Sequence, residues 1–142
     1  MTKLFEPLTL RGLTLRNRII MAPMCMYSCE NKDGVVGDWH FTHYGSRAVG
    51  GAGLIIVEAT GVAAIGRITP WCAGMWNDEH VSAWKKVTDE IRRHGAASAV
   101  QLAHAGRKAS THRGWSGVGS VAESEGGWKT VSSTCEPFTG YA

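Results

Sequence analysis

No stretch of this 142-residue chain approaches the roughly 20 consecutive apolar residues needed to cross a bilayer. The amino terminus, Met1-Thr2-Lys3-Leu4-Phe5-Glu6-Pro7, lacks the apolar core of a secretory leader. Charge is sparse as well: Asp, Glu, Lys and Arg make up 19% of the residues, below the usual quarter. Fifteen basic and 12 acidic side chains leave a net +3, and no basic run is interleaved with aromatics. That balance argues against a nucleic-acid partner, as the missing apolar span argues against a membrane. Cys25, Cys29, Cys72 and Cys135 are scattered, without the spacing of a disulfide framework. Cys25 and Cys29 stand four apart, not at the two-residue gap of a redox or zinc motif. Reduced thiols in a cytoplasmic protein are expected. Repeats at solenoid periods are absent too.

What is present is a globular composition, 44% hydrophobic, at a length natural for one domain. Leu8-Thr9-Leu10 and Leu13-Thr14-Leu15 alternate around Arg11-Gly12, which predicts a hairpin with Gly12 supplying the positive φ. A helix is predicted from Asp38 to Val49. Asp38 would cap it, Trp39, Phe41, Tyr44, Ala48 and Val49 would supply its buried side, and Gly50-Gly51 would stop it. A second helix starts at Asn77 or Asp78, carries the stripe Val81, Trp84, Val87 and Ile91, and ends with Arg92-Arg93-His94 before Gly95. Leu54 to Ala59 and Ser98 to Leu102 read as strands. Short strands linked through helices require crossover connections, so the sheet should be parallel.

Another strand is expected from Ile19 to Met24, within Ile19-Ile20-Met21-Ala22-Pro23-Met24-Cys25-Met26-Tyr27-Ser28. The run starts without alternation, as in a strand covered on both faces. Pro23 cannot donate to a ladder, so the strand should finish there and release Cys25 and Tyr27 beyond its carboxyl end. Parallel α/β proteins place their ligand sites at those ends. Ala59-Thr60 and Gln101 fall at the ends of the other two strands. A flat heteroaromatic ligand needs small or apolar residues under its face and an amide at its polar edge, which Ala59 and Gln101 could supply. The plain alternatives are packing for Cys25 and Tyr27, and a solvated strand end for Gln101.

Asn17-Arg18-Ile19 followed by Ala22-Pro23-Met24-Cys25-Met26-Tyr27 resembles the first-strand signature of the old yellow enzyme family of FMN-dependent ene reductases. Gly53-Leu54-Ile55-Ile56-Val57-Glu58-Ala59 and Gln101-Leu102-Ala103-His104-Ala105-Gly106-Arg107 agree with it in the same order. Cys after Pro-Met, with Tyr two further on, is similar to the bacterial branch of xenobiotic reductases and thermophilic-like enzymes. The likeness runs from about Leu4 to Trp128.

The resemblance implies the amino-terminal portion of a (β/α)8 TIM barrel, one partial domain over residues 1–142. Residues 1–18 would form the bottom hairpin, 19–107 the first βα units with about three strands and two helices, and 108–142 a loop excursion or a flexible tail. It implies FMN as cofactor and NAD(P)H as reductant, with Ala22, Pro23, Met24, Cys25, Ala59 and Gln101 against the flavin. Cys25 would tune the flavin and Tyr27 would position an enone-like substrate. The family's substrate-binding His pair, proton-donating Tyr, flavin-contacting Arg and phosphate site have no matching position here, and no metal is expected. A whole barrel takes about 250 residues, so a carboxyl-terminal half-barrel polypeptide is the expected partner, and a homo-oligomer the expected assembly. The alternatives are a non-catalytic barrel fragment and a thiol redox module using Cys25. His40 and His43 lack a third metal ligand. Gly50-Gly51-Ala52-Gly53 precedes a strand, unlike a dinucleotide fingerprint. His104 and Arg107 belong to the matching motif, but loop packing explains them nearly as well as anion binding, so they stay outside the catalytic set.

Overall fold

The computed structural model describes residues 3–140. Leu8–Leu10 (β1) and Leu13–Leu15 (β2) form the expected antiparallel hairpin, with Thr9 opposite Thr14 and their hydroxyls 3.0 Å apart. The positive φ of its turn falls on Arg11, at 55°, and not on Gly12 as expected. A left-handed first central residue already matches the twist of the two strands, so the second need not share it.

Past the hairpin, Asn17 fixes the chain's entry into the main sheet. Its Oδ1 accepts from Ile19 N–H at 3.0 Å, and its Nδ2 donates to the Gly51 carbonyl at 2.8 Å. Only Ile20–Met21 (β3) then pairs as strand, shorter than the Ile19 to Met24 expected. The Asn17 side chain takes Ile19 N–H, Pro23 has no N–H to give, and β3 has a neighbour on one side only. The segment from Ala22 to Cys29 therefore runs free of the ladder.

Leu54–Gly61 (β4) and Ala97–Ala103 (β5) complete a parallel sheet in the order β3-β4-β5. Ile20 faces Leu54 and Met21 faces Ile55, while Val57 faces Val100 and Ala59 faces Gln101. The residue skipped in that last register is Glu58, a bulge in β4.

Asp38–Val49 (α1) and Asp78–Arg93 (α2) cover one face of the sheet. The N-cap of α1 is Gly37, not Asp38, and Gly37 N–H donates to His40 Nδ1 at 3.2 Å. Its buried side is His40, Tyr44, Gly45 and Ala48, a stripe at fourfold spacing. Trp39, Phe41 and Val49, expected there, are exposed to 54%, 40% and 66%. In α2 the Asn77 side chain caps His80 N–H at 3.0 Å, and His80 rather than Val81 leads the buried stripe with Trp84, Val87 and Ile91. Both helices present polar aromatic residues inward where larger hydrophobes stay outside. The core joins Tyr44, Ala48, Trp84, Val87 and Ile91 to Ile55 and Val57, with Met21 and Val100 against it.

Beyond β5 the described residues form no further helix or strand, only short 3-10 turns at Gly106–Lys108 and Glu123–Glu125. This excursion is anchored to the loop after β4. Thr111 gives its N–H and hydroxyl to the Ile68 carbonyl at 2.9 and 3.1 Å, and Trp128 Nε1 donates to Ile65 at 2.9 Å. Residues 141 and 142 of the expected excursion lie outside the described residues.

Candidate functional site

The carboxyl ends of β3, β4 and β5 lie side by side because the sheet is parallel. Cys25, half-buried just beyond β3, lies beside the Ala59 backbone and the Tyr27 side chain, close enough for both to act on its thiol. Ala59 in turn stands opposite Gln101. Four of the expected residues, from three separated segments, thus share one rim. Ala22, Pro23 and Met24 are the unpaired stretch leading to Cys25, with Ala22 exposed, Pro23 half-buried and Met24 54% exposed. The exposed Gln101 side-chain amide has no hydrogen-bond partner among the described residues.

Burial pushes the Cys25 thiol up from 9.0 to about 11, with Cys72 and Glu58 adding to the effect. Burial likewise raises Tyr27 to about 12, with the neighbouring Cys25 and Cys72 contributing. Near neutral pH both groups keep their protons, which leaves the Cys25 thiol a weak nucleophile. Iodoacetamide is accordingly expected to modify the exposed Cys135 long before Cys25. The Cys25 rate should keep climbing past pH 9.0 towards about 11. A rate that levels off below pH 9.0 would reveal a stabilised thiolate and refute this assignment.

Tyr27 has φ of 52°, a left-handed backbone that bulky residues rarely adopt. Arg113 from the excursion holds it there: its Nη1 donates to the Tyr27 carbonyl at 3.3 Å and to Glu30 Oε1 at 2.8 Å. The guanidinium lies 4.3 Å over the Trp71 ring and 5.6 Å from that of Trp115, which in turn packs 6.0 Å from the Tyr27 ring. The excursion therefore helps to form the site, a contribution its Gly-rich sequence concealed.

A second feature was equally hidden. Glu58 is fully buried, and its Oε2 accepts from Met26 N–H at 3.1 Å, one residue past Cys25. Its Oε1 meets the Tyr44 hydroxyl at 3.3 Å and His40 Nε2 at 3.4 Å, while Glu58 N–H donates to that same hydroxyl at 2.9 Å. Because His40 Nδ1 accepts from Gly37, Nε2 is the ring nitrogen that carries the proton, beside Glu58 Oε1 and with Cys29 Sγ at 4.0 Å as its hydrogen-bond partner. The available signal was the lone carboxylate directly after the apolar run Leu54-Ile55-Ile56-Val57 and within the same strand, since a buried polar group demands partners.

Other polar residues serve packing. His43 rests between Trp39 and Tyr44, at ring distances of 5.7 and 5.0 Å. His104 lies against Gly66, where an added Cβ would come within 2.8 Å of its ring, and Arg107 reaches the Glu136 carbonyl at 3.5 Å. Among the described residues no three His, Cys, Asp or Glu side chains converge as a metal site. Among the described residues, too, no helix is long and apolar enough to cross a membrane.

Residues 3–131 match the NADH:flavin oxidoreductase / NADH oxidase family. The chain belongs to that family. It is 59% identical over 109 residues to an NADPH dehydrogenase of Listeria monocytogenes serotype 4b, covering 77% of this chain and 32% of the relative. A morphinone reductase solved with tetrahydroNAD superposes with a TM-score of 0.70 at 38% identity, over 78% of this chain and 29% of that one. An old yellow enzyme homologue from Zymomonas mobilis gives the same TM-score at 36% identity, over 76% of this chain and 30% of that one. This flavin oxidoreductase chain thus spans about a third of the length of its curated relatives, and its fold is the amino-terminal portion of their TIM barrel. FMN and a nicotinamide nucleotide are the cofactors that membership brings. The rim described above fits a flavin ring. Ala22 and Ala59 leave room for a flat face, and the unpartnered Gln101 amide can both donate to and accept from its polar edge.

Proposed function

We propose that this chain supplies the amino-terminal part of an NAD(P)H-dependent FMN ene reductase, acting on the activated C=C bond of α,β-unsaturated carbonyl compounds. The observation that carries the reading is the gathering of Cys25, Tyr27 and Ala59 at adjacent strand ends, with Gln101 opposite Ala59. Bound FMN supplies hydride transfer, from the nicotinamide and onward to the alkene. Ala22, Pro23, Met24, Cys25, Ala59 and Gln101 hold it, with Gln101 reading the polar edge and Ala59 permitting close approach. Cys25, protonated near neutral pH, modulates the flavin by hydrogen bonding and not by attacking it. Tyr27, fixed by Arg113 and Trp115, orients the substrate carbonyl compound. The proton that completes reduction comes from outside this chain. A thiol redox module is disfavoured by the same upward push on Cys25.

The partner in this proposal is a polypeptide completing the barrel, in an assembly that is a cytoplasmic homo-oligomer. Its support is apolar surface in the strand region: Ile20, Met24 and Leu102 are exposed to 43%, 54% and 61%. Open edges at β3 and β5 add unpaired backbone groups that invite another chain. Purified alone, the 142-residue chain is expected to self-associate and to lose added FMN on desalting. Native mass and the visible spectrum read both, and a monodisperse monomer retaining stoichiometric FMN would sink the partner reading. Supplied with the remaining part of the Listeria relative, it should show a flavin band that NADPH bleaches anaerobically and 2-cyclohexenone restores. A flavin-loaded complex without that cycle would remove the enzyme reading.

A further inference from the structure

We propose that Glu58 is the positioning residue of this site. Its carboxylate, swung to the helix side by the bulge in β4, holds the Met26 amide and through it sets Cys25 and Tyr27. In a regular strand Glu58 would point opposite Val57, away from the helices. The bulge lets both face the same layer: Val57 joins the helix-packed core, and Glu58 reaches Tyr44 and His40 of α1. Bulges of this kind re-aim one side chain without disturbing the rest of a ladder, and here the register resumes at once with Ala59 opposite Gln101.

The chemistry of the contacts calls for a carboxylate. The Met26 amide can only donate, His40 presents a proton-bearing Nε2, and the Tyr44 hydroxyl, already accepting from Glu58 N–H, has its own proton left to give. An acceptor-only group takes the Met26 and Tyr44 protons at once and suits the N–H edge of His40 beside it. A glutamine, nearly the same size, must turn its NH2 towards one donor or another. The segment from Ala22 to Cys29 has no ladder bonds to β4 or β5, and the Met26 bond ties its middle to the sheet beside the point where Cys25 meets Ala59. Cys25 and Tyr27 flank that bonded residue on either side. The bearing on catalysis rests on the roles proposed for those two residues; the geometry does not.

The test uses the full 142-residue chain carrying Cys135→Ser, with Cys25 alkylation by iodoacetamide followed across pH by peptide mapping, beside a thermal melt. The groups facing Cys25 are Tyr27, Tyr44, Glu58 and Cys72; those facing Glu58 also include Cys29, His40 and His43. Glu58→Gln is expected to quicken Cys25 alkylation several-fold near neutral pH and to move its profile to lower pH, roughly tenfold in rate for each pH unit moved. The segment loosens and a buried negative charge disappears, and both act in that direction. Tyr44→Phe, which spares the Met26 contact, should lower the melting temperature but leave the Cys25 profile close to that of the parent chain. A folded Glu58→Gln chain with the parent profile overturns the proposal. So does a Tyr44→Phe chain that quickens Cys25 equally, because general loosening would then explain both. Should Glu58→Gln not fold, Glu58→Asp replaces it. Its shorter carboxylate cannot span Met26 and α1 together, so the same quickening is expected and an unchanged profile again overturns the idea. The readout needs no flavin, so failure of the ene-reductase reading leaves this result standing.

Discussion

Trp84→Ala is expected to cost about 3–5 kcal/mol, the range for emptying a buried aromatic site. Trp84 is 3% exposed in α2, and its ring lies 6.2 Å from that of Tyr44 and 6.3 Å from that of His40. Its Nε1 also donates to the Gly74 carbonyl at 3.1 Å, tying the loop after β4 to the helix layer. Alanine would therefore open a cavity between the helices and strand a buried carbonyl. The cavity cannot collapse easily, because Tyr44 beside it is committed to Glu58. Small domains have only about 5–15 kcal/mol in total, so the variant should sit near the edge of folding. Urea denaturation followed by fluorescence checks this, and a loss under about 1 kcal/mol would show that the helix layer is not packed as described.

Arg16→Ala is the second large effect, expected at about 2–3 kcal/mol from the loss of charge-assisted hydrogen bonds. Arg16 Nη2 donates to Ala48 and Ala52 carbonyls at 2.8 and 2.9 Å, Nε to Ala52 at 3.2 Å, and Nη1 to His94 at 2.8 Å. Ala48 lies in the last turn of α1 and His94 is the C-cap of α2. One guanidinium thus caps the carboxyl ends of both helices, where carbonyls lack helical partners and the helix dipoles favour a cation. The side chain comes from the residue just after the hairpin, so it also fastens β1 and β2 beneath the sheet. Arg16→Lys keeps the charge but not the planar fork, and should recover only a minor part of the loss. Full recovery by lysine in the same denaturation experiment would mean that charge alone matters.

Much of this architecture was legible from local pattern. Alternation around Arg11-Gly12 marked the hairpin, β-branched runs marked β4 and β5, and Asn77 and Gly95 bracketed α2. Such signals survive because capping and period are decided within a few residues of chain. The ordered motifs around Cys25, Ala59 and Gln101 likewise pointed to the rim where those residues now stand.

Where choices depended on a neighbour, local pattern was a poorer guide. Trp39 and Val81 look like core residues on hydrophobicity alone, yet His40 and His80 are buried instead. His80 Nε2 lies 3.0 Å from the Asp33 carbonyl, and His40 accepts from Gly37 at Nδ1 and meets Cys29 Sγ at Nε2, so each imidazole has a partner when it leaves water. The extent of β3 depended on having one paired edge, which no property of Ile19 to Met24 discloses. The orientation of Glu58 depended on the bulge, whose register is set jointly by β4 and β5. The sequence by itself determined which stretches become strands and helices, and that the strand ends carry Cys25, Ala59 and Gln101, because those properties are local. Only the tertiary structure decided that Glu58 turns inward to grip Met26 and that Arg113 reaches back to Tyr27. Both contacts join residues far apart in the chain, 32 and 86 positions respectively, and exist only once the layers have packed.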